Sequence, residues 1–537
     1  MAMKRTAVSL FALLSLVACG NKRGDAPQPV EPVAKAPPTT APAAKKKATP
    51  AGVVKGDGKL PGKNVIEEVR KMNSSEFGAP SAKFRAGHVS KHKAPKIKKT
   101  AYGYEVQFAS HAPVVTPTIY QGKVMVSGGF RSKEFHALAM NTGKSAWSIS
   151  LDDDGPSTAA CEDGVCVFNT ESCTIFAVDA ETGKKKWAWW LGDPLTSTPA
   201  VANGIVFTSY PATGTAGNKP RPAGATHVLA AFDLHTGKVL WQRWLDSDVM
   251  SSPVATDGFV YVATFAGTVM KLEQKTGKFR YAVRARATST PVVQFHDGTE
   301  SMYYTSRADR KSADPAAPAV APAEEQIIRT DHNEPKTKFK AARKKADYLD
   351  KKAQASSHYA AESADDDAAN GFGGGAPSSA NAQAAAGNVG AANVSSMQSF
   401  QGSRILHMRG RNVNTMGDEV IATSSETGEK LWSYKLKGDV AKAGGFLGTA
   451  PLAAGHSVIM ATLKGNVLVL DPETGKARAE YKVGAQIRAQ PVVANGWIYV
   501  GTTDGRLVAI NTHDAGLTGW PTWGGNAART GIPVAHE

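Results

Sequence analysis

The stretch Ala177-Val178-Asp179-Ala180-Glu181-Thr182-Gly183-Lys184-Lys185-Lys186-Trp187 decides the fold of this chain, because its pattern recurs. The pattern is a Thr-Gly pair with an aromatic residue four places past the glycine. It stands as Thr142-Gly143 with Trp147, Thr182-Gly183 with Trp187, and Thr236-Gly237 with Trp241. It returns as Thr276-Gly277 with Tyr281 and Thr427-Gly428 with Trp432. A further copy, Thr474-Gly475, carries Ala479 at the aromatic position and Tyr481 two places on. The physical logic is a turn glycine that sends the chain into a new strand, whose large ring packs on the neighbouring unit.

Working outward, each unit opens with a proline in a short apolar run: Pro117, Pro156, Pro199, Pro253, Pro291, Pro451 and Pro491. A turn glycine follows, often after Asp or Asn, as in Asp163-Gly164, Asn203-Gly204, Asp257-Gly258 and Asn495-Gly496. Such pairs accept the positive φ angles of a tight hairpin turn. β-rich runs such as Phe259-Val260-Tyr261-Val262 come next, so each unit is a strand meander. A meander exposes apolar surface on both faces, and radial stacking of units covers it. The glycines of successive copies lie 40 residues apart between Gly143 and Gly183 and between Gly237 and Gly277, the length of a four-stranded blade. The expected fold is therefore all-β, a β-propeller of four-stranded antiparallel blades. Seven starts predict seven blades, or eight if the tail builds another.

Two spacings are longer. The 54 residues from Gly183 to Gly237 accommodate a Pro/Gly-rich loop at Pro211–Gly224, and the 151 from Gly277 to Gly428 require an insertion. That insertion reads as low-complexity chain from Ala308 to Gly402 inside blade 5, mostly disordered, with a helix-prone basic stretch at Lys336–Lys352. The last unit lacks a fourth strand. Tyr102–Ser110, with Tyr104, Val106 and Phe108 alternating with polar residues, is placed to supply it and seal the ring.

At the N-terminus, Lys4 and Arg5 precede an apolar run from Ala7 to Ala18, the order of a secretory signal and too short to span a bilayer. Residues 20 to 100 hold 18 Lys/Arg against 6 Asp/Glu and few aromatics, which predicts a disordered basic tether. The formal charge of the whole chain is +16, so the chain from 101 onward is close to neutral. That balance argues against nucleic-acid binding, which needs charge on the folded face that docks. The tether could contact anionic lipid. The chain thus divides into a signal peptide at 1–18, a tether at 19–100, blades 1 to 5 (first part) at 101–307, the insertion at 308–402, and the remainder of blades 5 to 7 with a closing tail at 403–537.

Four cysteines remain. Leu16-Val17-Ala18-Cys19 resembles the bacterial lipobox, and that resemblance implies a lipid on Cys19; the other reading is an ordinary signal with an incidental cysteine. Cys161 and Cys166 flank the Asp163-Gly164 turn as an opposed cross-strand pair, close enough for a disulfide. Pairing of Cys166 with Cys173 competes, and so do reduced thiols. No His-Glu-x-x-His, Gly-x-Ser-x-Gly or paired Cys-x-x-Cys spacing occurs, and Asp152-Asp153-Asp154 lacks the later ligands of a calcium loop. No catalytic or metal-ligating residue is expected.

The repeat resembles the pyrroloquinoline-quinone-like β-propeller family, through the docking motif quoted above. The resemblance covers roughly 110–307 and 403–531. One branch of that family consists of quinoprotein dehydrogenases with quinone and calcium over the axis. The other consists of non-enzymatic lipoproteins, including the propeller subunit of the outer-membrane β-barrel assembly machinery. The dehydrogenases commonly carry an adjacent Cys-Cys pair, which this sequence lacks. The resemblance therefore implies a non-enzymatic scaffold on the periplasmic side of an outer membrane, without cofactor. Its implied partners are envelope proteins such as the assembly porin. A quinone-dependent dehydrogenase or a ligand-binding propeller is the alternative.

Overall fold

Asp163 and Gly164 take φ angles of 45° and 73°, and the two-residue turn they make pairs Glu162 with Val165 and Cys161 with Cys166. The same device opens the hairpins at Asn203-Gly204, Asp257-Gly258 and Asn495-Gly496. The computed structural model describes residues 53–80, 85–171, 174–192, 197–212, 219–296, 299–308, 324–331, 334–345, 404–440 and 446–534. Signal, lipobox, Cys19 and Cys173 lie outside them. No helix among the described residues is long and apolar enough to cross a membrane.

The hairpins build eight antiparallel sheets. Blade 1 runs Thr118–Tyr120, Lys123–Ser127, Glu134–Ala139, Ser145–Leu151; blade 2 runs Ala160–Glu162, Val165–Asn169, Thr174–Asp179, Lys185–Trp190. Blade 3 runs Ala200–Ala202, Ile205–Pro211, His227–Asp233, Val239–Leu245; blade 4 runs Val254–Thr256, Phe259–Ala263, Thr268–Glu273, Phe279–Arg284. Blade 5 is Val292–His296, Thr299–Ala308, Glu324–Asp331 and Lys336–Lys345. Blade 6 is Leu406–Met408, Arg411–Met416, Glu419–Ser424 and Lys430–Lys435. Blade 7 is Leu452–Ala454, Ser457–Ala461, Asn466–Leu470 and Ala477–Lys482. Blade 8 combines Val492–Ala494, Trp497–Gly501 and Arg506–Asn511 with Gly103–Gln107 from the start of the chain. The strand expected to seal the ring does so, with Tyr104 opposite Ala509 and Val106 opposite Leu507.

The count of eight corrects the expectation of seven, and its cause lies at the 308–402 boundary. Two strands of that stretch, Glu324–Asp331 and Lys336–Lys345, complete blade 5, so Lys336–Lys345 is a strand and not helix. The Thr427-Gly428 copy then closes a separate blade 6. Blade 6 was hidden because its inner strand follows Arg404-Ile405 with no proline, and its turn is Arg409-Gly410, with φ angles of 47° and 70°.

The core lies between blades. Several interfaces are apolar clusters drawn from two adjacent sheets, such as Trp147, Phe135 and Phe168 between blades 1 and 2, or Tyr261, Met302 and Tyr304 between blades 4 and 5. Trp432, Leu452, Val469 and Trp520 belong to a larger one joining blades 6, 7 and 8.

The expected tether also needs correction from residue 53 onward. Val53–Lys55 adds a strand to blade 5, Lys63–Asn64 to blade 4, Val89–Lys91 to blade 1, and Lys96–Thr100 to blade 8. Between them the helix Ile66–Met72 lies against the outer strands of blades 3 and 4. Asn73 then exchanges hydrogen bonds with the Trp244 backbone, and Arg85 O accepts from Trp190 N at 2.8 Å. This belt covers six outer edges in the order 5, 4, 3, 2, 1, 8. Composition alone missed it because each contact uses the backbone or one apolar residue, such as Val65 or Val69, in an otherwise charged stretch. Among the described residues, the outer strands of blades 6 and 7 carry no such cover.

Candidate functional site

The axis of the ring is where the eight inner strands converge, and the chain fills it with its own C-terminal segment. Ile119 N of blade 1 donates to Pro521 O, Val201 N of blade 3 to Ala527 O, and Ala255 N of blade 4 to Ala528 O. Trp520 bridges Val493 of blade 8, and Gly455 N of blade 7 donates to Thr518 O. Turns at Gly519, Gly524, Gly525 and Gly531, all at positive φ, let this segment wind across the narrow space.

Two arginines anchor it. Arg529 is fully buried and donates to Pro199 O, Thr522 Oγ1, Trp523 O, Thr158 O and Ala159 O, at 2.7–3.4 Å. It thus ties the tail to blades 2 and 3. Arg404 enters from blade 6, donates through Nη2 to Arg529 O, and stacks its guanidinium 4.3 Å above the Trp523 ring. Burial lowers both guanidinium pKa values to about 9, with the neighbouring Arg404 charge adding to the effect on Arg529. Gln490 completes the set, accepting from Trp520 Nε1 at 3.2 Å and Gly524 N at 3.3 Å. Sequence reasoning missed this site because Arg404 and Arg529 meet across 125 positions of chain.

The docking residues lie away from the axis, between blades. Trp147 covers Gly183, Trp187 covers Gly237, Trp241 covers Gly277 and Trp432 covers Gly475, each indole approaching where a Cβ would stand. Their Nε1 groups donate to Ala180 O, Leu234 O, Gln274 O and Pro472 O. Gly143 is covered by Tyr104, whose hydroxyl donates to Met140 O at 2.8 Å. Gly428 is covered by Phe339, an aromatic in the stretch read as insertion. Tyr281 is buried with its hydroxyl on Met302 Sδ. These residues hold blades together and present no reactive group to solvent.

Cys161 and Cys166 form a disulfide with Cα atoms 4.1 Å apart. His92, on the belt, meets Glu134 Oε1 at 3.2 Å, while the other carboxylate oxygen meets His136 Nε2. The His136 pKa is depressed, chiefly by burial. Asp153 and Asp154 sit beside Glu171, whose carboxyl is pushed up to about 8 by burial and by the Asp154 charge. No group of three or more His, Cys, Asp or Glu suited to a metal ion occurs among the described residues.

A 99-residue stretch is 31% identical to the outer membrane protein assembly factor BamB of Burkholderia pseudomallei, covering 18% of this chain and 23% of that protein. A 98-residue stretch is 30% identical to the quinoprotein alcohol dehydrogenase PedH of Pseudomonas putida, covering 17% and 16%. The chain therefore spans less than a quarter of the length of either relative. The crystal structure of BamB from Moraxella catarrhalis superposes with a TM-score of 0.49 at 15% identity, over 78% of this chain and 100% of that one. The model of the family described as outer membrane protein assembly factor BamB matches residues 105–221, 177–303 and 393–530, more than half of the chain, and the protein belongs to that family.

Proposed function

We propose that this protein is a non-enzymatic scaffold of the bacterial cell envelope, lipid-anchored through Cys19 at the outer membrane and facing the periplasm, where it serves the assembly of outer-membrane proteins. The observation that carries the non-enzymatic reading is the filled axis. A calcium-bound quinone would need converging carboxylate and amide oxygens there. The axis instead holds Trp520, Trp523 and two buried guanidinium groups, which repel a divalent cation. These residues do not fit that cofactor, and the proposal includes none.

A scaffold works by display. The rims offer the loops between strands, and the outer strands Lys430–Lys435 and Ala477–Lys482 offer edges on which a partner strand could add. Leu431, 48% exposed, lies on the first of these. The partner proposed is an envelope protein, the barrel-assembly porin first. The test is affinity capture of the mature protein from gently solubilised envelopes after mild crosslinking. Co-purification of that porin in stoichiometric amount is expected. Its absence, or recovery of a bound quinone, would overturn the assignment.

A further inference from the structure

From Arg85 to Lys99 the chain carries Arg85, Lys91, Lys93, Lys96, Lys98 and Lys99 and not one Asp or Glu. A stretch of that composition reads as solvated tether, yet the structure fixes most of it to the outer wall of the ring. Val89–Lys91 is the outermost strand of blade 1, with Lys91 opposite Ile149, and His92 N extends the contact by donating to Ser148 O at 2.9 Å. Lys96–Thr100 is the outermost strand of blade 8, with Lys96 opposite Gln107 and Lys98 opposite Glu105. Lys93, Ala94 and Pro95 make the short crossing between the two blades. The lysines are thus held in place on the wall of neighbouring blades.

Their charge is largely unanswered. All six cations are exposed. Lys98 comes no nearer than 3.9 Å to Glu105, a carboxylate shared with Arg506, and Arg85 lies over the Trp190 ring. Lys91, Lys93, Lys96 and Lys99 form no ion pair among the described residues. At about 3.3 Å per residue, lysines that follow one another along this stretch stand no more than about 10 Å apart, the range over which their fields add at physiological salt. Lysines on an edge strand also keep it from pairing with other chains. Lys93, however, lies in the crossing, where no edge needs guarding.

The residue types select among anionic partners. Specific protein interfaces favour Tyr, Trp and Arg and are depleted in Lys, and the bidentate grip of a carboxylate belongs to Arg. No aromatic stands between Phe84 and Tyr102, so the stretch offers no platform on which bases stack. Flexible stems ending in point charges suit instead a fluid surface of many phosphates, which rearrange around the lysines. Ile97 stands among them 39% exposed, an apolar side chain that such a surface can receive.

We infer that the outer wall of blades 8 and 1 is a docking face for an anionic phospholipid bilayer, bound through Lys91, Lys93, Lys96, Lys98 and Lys99 with Ile97 among them. Neither the protein partner nor a lipid on Cys19 enters this step. Docked by its wall, the ring stands on edge, so both rims stay in water. The uncovered outer strands of blades 6 and 7 then point to the side, within reach of a partner.

The test is sedimentation of the full mature chain carrying Cys19→Ser, so that no acyl chain contributes. It is mixed with vesicles of phosphatidylethanolamine containing about a quarter phosphatidylglycerol, and separately with neutral phosphatidylcholine vesicles. Binding to the anionic vesicles at about 0.1 M salt, its loss at about 0.5 M, and none to the neutral ones are expected. Lys91→Gln, Lys93→Gln, Lys96→Gln and Lys99→Gln together should weaken binding on the order of several hundredfold, at roughly fivefold for each lysine. The same number of charges removed from the exposed Lys184, Lys238, Lys278 and Lys476 should leave it within a few-fold. Ile97→Ser should weaken it several-fold, and it serves if the first quadruple variant does not fold. Anionic vesicles should slow amide exchange at 89–100 and not at Lys430–Lys435. Equal losses in the two quadruple variants would overturn the inference. So would binding unchanged by the first, which puts the charge effect in residues 20–52, or capture of the chain by polyglutamate and not by vesicles.

Discussion

The indole of Trp187 in blade 2 lies against Gly237 of blade 3, so close that a Cβ on the glycine would stand 2.6 Å from the ring, and its Nε1 donates to Leu234 O at 2.8 Å. The glycine also sits at φ 68°, a conformation that costs a side chain strain even without the clash. Trp187→Ala should destabilise the protein by about 3–5 kcal/mol, whereas Trp187→Phe, which keeps most of the ring, should lose nearer ~1–2 kcal/mol. Gly237→Ala should approach the larger loss, since strain and overlap combine. Denaturant melts of the three variants give the ordering.

Between blades 4 and 5, Lys271 Nζ pairs with Glu300 Oε2 in the interior, with the Tyr261 hydroxyl on the same carboxylate at 3.0 Å and the Phe259 ring 4.0 Å from the ammonium. Removing one partner strands the other charge. Glu300→Ala or Lys271→Ala should therefore each cost about 3–5 kcal/mol. The double variant Lys271→Met with Glu300→Leu should recover most of that loss. A double-mutant cycle in urea measures the coupling directly.

Glu171 sets a pH dependence of definite sign. Its carboxyl titrates near 8 in the folded protein, against an ordinary 4.5, because burial and Asp154 disfavour its charge. Between those values the folded state keeps a proton that the unfolded chain has released, so stability falls as pH rises through the window and levels off above 8. Glu171→Gln holds a neutral group at every pH. Its melting temperature should gain on the wild type progressively from pH 5 to about 8 and keep that lead at higher pH. Parallel melts across that range check the crossover.

Residues 53–80 cover the outer edges of blades 5, 4 and 3, through Val53–Lys55, Lys63–Asn64 and the Asn73 contacts with Trp244. A chain lacking them should still close its ring, because Gly103–Gln107 is retained. It should also expose unpaired strand edges, which template association with other chains. Light scattering on heating should show aggregation setting in at lower temperature than for the full chain.

The sequence carried the repeat well wherever function of the local turn demanded one residue type. Thr-Gly followed by a ring, and Asp-Gly or Asn-Gly between short β-rich runs, are requirements of chain geometry, so they survive in the letters. The opposed position of Cys161 and Cys166 was legible for the same reason. Blade 6 was not, because Arg409 takes the positive φ that Asp or Asn takes elsewhere, and Arg404 stands where a hydroxyl residue usually does. Phe339 docks on Gly428 without a Thr-Gly pair of its own. The axis was invisible for a different cause. It is assembled from a loop after blade 8 and a residue before blade 6, and no local pattern records that meeting.

The pairing of Gly103–Gln107 with Arg506–Asn511 also governs the time order in which the molecule can form. The early strand finds its partner about 400 residues later, and the segment that fills the axis follows that partner in the chain. During synthesis the middle blades can stack on one another, yet blade 1 stays open on one side until Arg506–Asn511 emerges. Ring completion is thus a late, long-range event with a high loop-closure cost, the kind of step that slows folding and exposes strands meanwhile. A chaperone holding residues 53–107 would guard the part that waits longest.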